Sequence, residues 1–149
     1  MKLKYFEDHN IGDKVITTGR TITDTDITLM VHLCQYAHPM FFDDEFAKKT
    51  VFGKRILPGV LTLSFMQGLT ERTDAWDMSG IVGLVGLNNT KFKAPVMAGD
   101  TLHVELETIA KTEIKKPDKG LVTVRQTCKN QKGETVLEVE AILMMIRKV

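Results

Sequence analysis

The sequence predicts an α+β fold in which an antiparallel β-sheet wraps around one long helix. After Trp76 the chain contains four segments rich in β-branched or alternating apolar residues, and turn-rich stretches separate them. Before them, GVLTLSFMQGLTERT, which starts at Gly59, carries apolar residues around most of a helical circumference, as a buried helix does. Hairpin-length connections join neighbouring strands, so the strands are expected to form an antiparallel sheet around this central helix.

Length and composition predict a single globular domain over residues 1–149. The 149 residues are 43% hydrophobic and 26% charged, close to the average of folded domains. The net charge of +1, with both signs interspersed, argues against a nucleic-acid partner. No apolar run approaches the ~20 residues that a membrane span needs, so we expect no membrane partner.

Cysteine and histidine usage predicts neither a disulfide framework nor a metal site. Cys34 and Cys128 are the only cysteines, and the start MKLKYFEDHN lacks an apolar signal region. A cytoplasmic protein with free thiols is the simplest interpretation. The four histidines lack CxxC, HxH or HExxH spacing, so we predict no metal and no cofactor.

The N-terminal part of the chain predicts a short strand followed by a helix. The β-branched run Lys14–Thr18 suits a strand. Thr23 can cap a helix start, and apolar residues then recur at helical spacing, which predicts a helix over Asp26–Ala37. Pro39 disfavours helical geometry at the residue before it, so a bend follows the helix and is expected to point its side chains inward.

The remaining elements follow from the same patterns. A second helix is predicted over Asp43–Lys49, with Phe46 and Ala47 inward, and a loop over Val51–Pro58. The central helix is predicted from Gly59 and is expected to be buried nearly all round. Strands are predicted over Gly80–Pro95, Asp100–Lys111, Leu121–Asn130 and Thr135–Arg147.

The segment TDTDITLMVHLCQYAHPMFFD, residues 23–43, has the outline of a catalytic segment. It resembles the hydratase segment of the MaoC-like family, the (R)-specific enoyl-CoA hydratases and dehydratases of the hotdog fold, which reads approximately T-x-x-D-I-x-x-F-x-x-L-T-G-D-x-N-P-x-H-x-D. The family's Asp and His, which hold and activate water, fall on Tyr36 and Phe41, and its Asn falls on His38. The matching positions are Asp26, Ile27, Leu33, Pro39 and Asp43.

The resemblance extends over most of the chain. Phe46–Leu69 is similar to the family's stretch from the catalytic bend into the hotdog helix, and Leu87–Glu107 is similar to its F-x-x-P-V-x-x-G-D-T-L strand and turn. Gly120–Val136 resembles the mesaconyl-CoA and itaconyl-CoA hydratases. A hotdog domain that forms a homodimer through its sheet edges is therefore implied.

Three candidate catalytic residues follow from the resemblance. Gly59 stands where the family uses a glycine amide to polarise the thioester carbonyl, although a glycine there equally allows close packing. Tyr36 and His38 stand around the bend, where a phenol and an imidazole suit proton transfer near neutral pH. Alternatively, these two side chains only line a pocket.

Four further residues are candidates for substrate binding. Phe41 forms an apolar wall for an acyl chain or belongs to the core. Asp43 offers a carboxylate or caps the following helix. One of Ser64 and Gln67, both on the central helix, is expected to face the cleft. The cations that we consider for the phosphates of coenzyme A are Arg20, Lys91, Lys93 and Arg125.

The resemblance implies hydration or dehydration of an acyl-CoA thioester, with a non-standard acid–base site. Phe41 has no proton to give or take, so the usual pair is absent. The alternative is an inactive hotdog domain that binds an acyl-CoA or another apolar ligand, or that pairs with an active subunit. A different reaction in the same cleft, such as thioester hydrolysis or isomerisation, is a third interpretation.

Overall fold

In the computed structural model, which describes residues 3–72, 77 and 79–148, the chain forms six strands and three α-helices. The first strands are β1 (Lys14–Ile16) and β2 (Arg20–Thr21). The helices are α1 (Asp24–Leu33), α2 (Asp44–Ala47) and α3 (Gly59–Thr70). The long strands are β3 (Ile81–Phe92), β4 (Thr101–Glu113), β5 (Lys119–Lys129) and β6 (Thr135–Ile146).

The strands form an antiparallel sheet with one apolar face and one charged face. Their order is β1-β4-β5-β6-β3, and β2 also pairs with β4. Alternate residues of the long strands, such as Leu106, Val124 and Ala141, are buried on the inner face. On the outer face, Glu107 on β4 faces Arg125 on β5, with 3.4 Å between the Arg125 Nη1 and Glu107 Oε2 atoms. The inner face of the sheet therefore packs in the hydrophobic core, and the outer face is exposed to solvent.

Helix α3 begins at Gly59, as predicted, and packs on the inner face of the sheet. Leu61, Met66 and Leu69 are at most 3% exposed. Gln67 contributes the polar contact of this interface, because its Nε2 donates a 2.6 Å hydrogen bond to Oε1 of Gln126 on β5. The predicted antiparallel sheet around a central helix is confirmed.

The expectation that the central helix is buried nearly all round is wrong for a single copy of the chain. Val60 is 58% exposed, and Ser64 and Gly68 are exposed as well. These three residues recur every fourth position and so share one face of α3. Because the sheet covers only the opposite face, a strip of the helix is left open.

Helix α1 starts two residues earlier and ends four residues earlier than predicted. At the start, Thr23 Oγ1 accepts from the Asp26 N–H and Asp26 Oδ2 accepts from the Thr23 N–H, which is a capping box. At the end, Gln35 takes the left-handed backbone conformation with φ of +56° and terminates the helix.

Smaller differences occur at the other boundaries. β1 ends at Ile16, because Thr17 turns its hydroxyl to accept the Val104 N–H at 2.9 Å in place of a backbone group. α2 is shorter than predicted at both ends. β2 was not predicted, since two residues are too few to show a pattern.

His9 is buried near the start of the chain, with 1% of its surface exposed. Burial is the main cause that lowers the pKa of His9 to about 4 from the ordinary 6.5, and the charges of Lys4 and Lys111 lower it further. The backbone carbonyl of His9 accepts a 2.7 Å hydrogen bond from Lys111 Nζ. The folded chain therefore holds this imidazole neutral at pH 6.

We predict that the protein loses stability in acid through His9. Below pH 6.5 the unfolded chain binds a proton at this side chain and the folded chain does not, so the stabilisation is complete above pH 6.5 and declines as the pH falls to about 4. The expected contribution to the loss is about 3 kcal/mol at pH 4. Urea unfolding at pH 7 and pH 4 should show a smaller loss for His9→Gln than for wild type. The exposed His32→Gln control should keep the wild-type loss, and an unchanged loss in His9→Gln would contradict the prediction.

Candidate active site

Tyr36 is placed by the end of α1. The Gln35 N–H bonds to the His32 carbonyl at 3.1 Å, and the Tyr36 N–H reaches back to the Val31 carbonyl at 3.0 Å. These two bonds and the left-handed Gln35 form a Schellman motif, which stops the helix sharply. The Tyr36 side chain is half-buried and packs against the core.

His38 stands before a short 3₁₀ turn over Pro39–Phe41, in the extended conformation that a following proline requires. Its Nδ1 accepts a 3.2 Å hydrogen bond from the Met40 N–H. The neutral imidazole therefore carries its proton on Nε2, which acts as a donor and not as a base. The side chain is exposed, so the expectation that the bend points His38 inward is wrong.

Aromatic rings bring three of the predicted site residues together. The Phe41 ring lies 5.5 Å from that of Tyr36 and 6.0 Å from that of His38, both in edge-on geometry. Phe46 contacts the other side of His38 at 5.7 Å. Phe46 is 39% exposed and not inward as predicted, whereas Ala47 is buried. Tyr36, His38 and Phe41 thus form one cluster at the bend.

Asp43 caps α2. Its Oδ1 accepts a 2.9 Å hydrogen bond from the Phe46 N–H. The side chain is exposed, and the structure gives it this structural role, one of the two that the sequence left open.

Gly59 lines a cavity of about 290 Å³ at the start of α3, here called the Gly59 cavity. Within the described ranges, no residue accepts a hydrogen bond from the Gly59 N–H, and Pro58 has no side chain that can cap the helix. The residues that line the cavity include Phe52, Ile56, Thr62, Phe92 and Lys93. None of the residues 36–43 lines it, so the bend cluster and the helix start border separate spaces in one copy of the chain.

Phe92 explains why a glycine fits at the start of α3. A Cβ atom placed on Gly59 would lie 3.0 Å from Cδ1 of the Phe92 ring, which is tighter than ordinary van der Waals contact. Gly59 therefore allows close packing, whatever its amide does. The sequence left both roles open, and the geometry is compatible with both.

Ser64 and Gln67 lie on different sides of α3. Ser64 is exposed, its hydroxyl donates to the Val60 carbonyl at 3.2 Å, and it lines a second cavity. Gln67 points to the sheet and bonds to Gln126. Of the two, only Ser64 faces an open space outside the core, and that space is not the Gly59 cavity, so the expectation that one of them faces the cleft stays a prediction.

Three of the four cations considered for coenzyme A phosphates have carboxylate partners. Arg20 Nη2 lies 2.6 Å from Asp26 Oδ1, and the Arg20 guanidinium stacks 4.8 Å above the Phe65 ring. Lys93 Nζ lies 2.7 Å from Glu138 Oε2. Arg125 lies between carboxylates on the outer face of the sheet, and Lys91 is exposed beside it. Lys93 also lines the Gly59 cavity, which makes it the cation best placed for a ligand there.

Arg55 connects the segment that carries the bend to the loop before Gly59. Its Nε lies 2.7 Å from Asp44 Oδ1 and its Nη2 lies 3.1 Å from Asp24 Oδ1. Its Nη1 donates to Thr28 Oγ1 at 3.3 Å. The side chain is 15% exposed, so a single guanidinium joins both ends of the segment that contains the aromatic cluster.

Two classes of site are not found in the part of the chain that the structure describes. No group of three or more His, Cys, Asp or Glu side chains is arranged to hold a metal ion among residues 3–72, 77 and 79–148. In the same ranges, no helix is long and apolar enough to cross a membrane.

The family model of the MaoC-like domain matches residues 7–130. The chain belongs to the MaoC-like dehydratase family. An (R)-specific enoyl-CoA hydratase of Rhodospirillum rubrum is 33% identical over 143 residues, which are 96% of this chain and 92% of that protein. The mesaconyl-CoA hydratase of Cereibacter sphaeroides is 28% identical over 136 residues, 90% of this chain and 38% of that longer protein.

Solved structures have the same architecture. A protein of Archaeoglobus fulgidus, described as a monoamine oxidase regulatory protein, superposes with a TM-score of 0.91 at 34% identity, over 99% of this chain and 97% of that one. The predicted hotdog fold is confirmed, because the same fold is found in solved hotdog proteins. In this MaoC-like protein the central helix begins at Gly59, and the assignment of Tyr36 and Phe41 to the positions of the family's Asp and His stays a prediction.

Sequence reasoning missed three residues that shape the site. Arg55 lies in a segment predicted only as loop, and its pairing with Asp24 and Asp44 depends on distant parts of the chain. Phe92 was part of a strand pattern that gives no sign of contact with Gly59. Gln126 carried one signal, since a polar residue at an inward position of an apolar strand needs a buried partner.

We predict that Arg55 holds the bend segment in place. Arg55→Ala removes both ion pairs and is expected to lower the free energy of unfolding by about 1 kcal/mol, because Asp24 and Asp44 are exposed and can be solvated. Arg55→Lys keeps the charge but cannot reach three acceptors at once, so it should restore less than half of the loss. Thermal unfolding of the two variants measures this difference, and full rescue by lysine would show that only the charge matters.

Proposed function

We propose that this MaoC-like protein adds water to, or removes it from, an enoyl thioester of coenzyme A. The observation that carries the proposal is the Gly59 N–H at the positive end of α3. Among the described residues it has no hydrogen-bond acceptor, and Gly59 lines a largely apolar cavity. A helix start of this kind stabilises the negative charge that develops on a thioester oxygen during water addition. Similarity to a hydratase from Rhodospirillum rubrum supports the same reaction.

In the proposed hydration, the oxygen of water bonds to the β-carbon of the enoyl group and the α-carbon gains a proton. The negative charge passes through the thioester oxygen, where the Gly59 N–H donates a hydrogen bond. Tyr36 supplies the proton to the α-carbon and takes one from the attacking water, so the phenol is unchanged at the end. The Met40 N–H occupies Nδ1 of His38, which leaves the Nε2–H of the neutral ring free to donate. In this proposal that N–H donates to the Tyr36 oxygen and orients the phenol. Phe41 forms the apolar wall beside the acyl chain, and Asp43 and Ser64 remain candidates for polar contacts to the substrate.

The proposal includes a homodimer. β3 stands at the end of the sheet order, and Val82, Leu84 and Phe92 on it are about half exposed. Edge strands with exposed apolar side chains are unfavourable unless they are paired. Pairing of two copies along β3 would cover these side chains and close the Gly59 cavity beside Phe92. A cleft composed of both copies could then bring the bend cluster of one copy to the helix start of the other.

The proposed setting is the cytoplasm. Cys34 and Cys128 are both free thiols, one exposed and one buried, and burial raises the pKa of Cys128 to about 12. Free thiols of this kind fit a reducing compartment.

The second candidate function is a hotdog domain that binds an acyl thioester without turnover. His38 favours this alternative, because its Nδ1 is occupied by the Met40 N–H and its Nε2 is a donor. Phe41 stands where the family has its His, so no imidazole base remains at that position. Binding needs only the Gly59 cavity and the Gly59 N–H, and the structure contains both.

We predict that the Gly59 amide, not its lack of a side chain, is what catalysis needs. Gly59→Pro removes the N–H at the first helical position, where proline is tolerated, and Pro58 already has the extended backbone that a following proline prefers. Gly59→Ala adds the same Cβ against Phe92 and keeps the N–H, so it is the matched control. Hydration of crotonyl-, mesaconyl- and itaconyl-type CoA thioesters, followed by loss of enoyl absorbance and by mass, should be ~100-fold slower in the proline variant than in the alanine variant. Equal rates would remove the amide from the mechanism.

A second prediction separates the hydratase from the binding domain. In a hydratase, Tyr36→Phe should lower kcat ~100-fold or more and leave thioester affinity unchanged. If the protein is a binding domain, the wild type should show no turnover of the thioesters. The triple variant Tyr36→Asp, His38→Asn and Phe41→His, which introduces the family's residues, should then create turnover. A wild type that is active and insensitive to Tyr36→Phe would contradict the role given to the phenol.

A further inference from the structure

A second cavity lies on the open side of α3, between that helix, α1 and β2. Its volume is about 240 Å³, and it is here called the two-arginine cavity. Arg20 from β2 and Arg72 just after α3 line it, with Ser64 and Gly68 on the helix side. Its apolar walls are Met30, Phe65 and Leu69.

The Arg20 guanidinium is held in place before any ligand arrives. Its Nη2 lies 2.6 Å from Asp26 Oδ1, and its plane stacks 4.8 Å from the centre of the Phe65 ring. Asp26 is fixed in turn, because its Oδ2 accepts from the Thr23 N–H in the α1 capping box. A guanidinium has five N–H donors, so this one keeps donors for a ligand.

Arg72 adds a second guanidinium group to the cavity. It follows the last turn of α3 and is exposed, and no carboxylate within residues 3–72, 77 and 79–148 forms an ion pair with it. Among the residues that the structure describes, the two guanidinium groups and the Asp26 carboxylate that pairs with Arg20 sum to one net positive charge beside the cavity. The surroundings of Arg72 therefore favour an anion.

We propose that the two-arginine cavity binds a carboxylate carried on a short apolar chain. Guanidinium groups match carboxylates in geometry as well as charge, because two parallel N–H groups reach both oxygens. Met30, Phe65 and Leu69 accommodate the chain, and the Ser64 hydroxyl is a further polar group on the wall. At about 240 Å³ the cavity is smaller than the range of about 300–1,000 Å³ that holds drug-sized ligands, and this size suits a short acid.

The carboxylate has two possible sources. Ser64 and Gly68 follow Gly59 on the same helix by roughly 8 and 14 Å along its axis, at 1.5 Å per residue. An acyl group whose thioester lies at Gly59 would reach this cavity only if its chain ran around α3 to the open face, and that source depends on the proposed function. A free carboxylic acid is the other source, and it does not depend on any reaction at Gly59.

The test is to titrate the full chain with hexanoate and, separately, with the uncharged hexanamide, and to measure binding by NMR. We expect hexanoate to bind at least ~10-fold more tightly, since a charged hydrogen-bond partner is lost in the amide. Arg72→Gln should weaken hexanoate ~10-fold and leave hexanamide unchanged. Gly68→Leu should abolish binding of hexanoate and of hexanamide, because the leucine side chain would occupy the cavity that Gly68 lines. The fold should tolerate this change, since a Cβ atom at Gly68 meets no other atom and leucine favours the helix. Arg125→Gln, on the outer face of the sheet, is the control that should change nothing.

The source is identified with two enoyl-CoA thioesters of equal length, one ending in a methyl group and one in a carboxylate. If the acyl group supplies the carboxylate, Arg72→Gln should lower kcat/KM ~10-fold for the carboxylate thioester alone. If a free acid is the ligand, Arg72→Gln should change kcat/KM equally for the two thioesters. Hexanoate binding should still be weakened by Arg72→Gln. Failure of all turnover would refute the proposed function and leave the titration as an independent result.

Three outcomes would overturn the carboxylate site. The first is equal binding of hexanoate and hexanamide, which would indicate an apolar cavity only. The second is wild-type hexanoate binding by Gly68→Leu. The third is dissociation of an oligomer by Gly68→Leu in sedimentation measurements, which would show that a second copy of the chain occupies this face.

Discussion

The one-sided packing of α3 against the inner face of the sheet is the constraint on which the site depends. The sheet buries Leu61, Met66 and Leu69, and the amide groups of Gln67 and Gln126 satisfy each other by a hydrogen bond within that interface. Burial of each large apolar side chain contributes roughly 1.5–3 kcal/mol. The same packing leaves the amide of the first turn and the opposite face of the helix uncovered. Both cavities border α3, one at its start and one on its open face.

The bend after α1 determines which chemistry is available. The Schellman motif at Gln35 fixes Tyr36, and the proline at position 39 fixes the backbone of His38. Once His38 Nδ1 accepts from Met40, the neutral ring can only donate through Nε2. The neutral side chain of His38 is therefore a hydrogen-bond donor at the bend, although its residue type also suits work as a base.

The sequence was sufficient to predict the fold and the residue at which α3 begins. Apolar periodicity located α3 and the long strands, because burial dictates those patterns over ten or more residues. It misjudged the end of α1, where a non-glycine residue adopts the left-handed conformation and no residue-level signal marks it. It also missed Arg55, because contacts between Asp24, Asp44 and a loop arginine exist only once the chain has folded.

Tyr36 and Phe41 favour apolar contact over bound water at the bend. The centres of their rings lie 5.5 Å apart in edge-on geometry. In one copy of the chain these rings border a different space from the Gly59 cavity, so they would shield a ligand carbonyl at Gly59 only across the proposed dimer. A hydrogen bond from a helix start is stronger where the effective dielectric constant is low. In the proposed function the Gly59 amide polarises the thioester and the Tyr36 phenol moves the protons, so the two groups have to come from different copies of the chain.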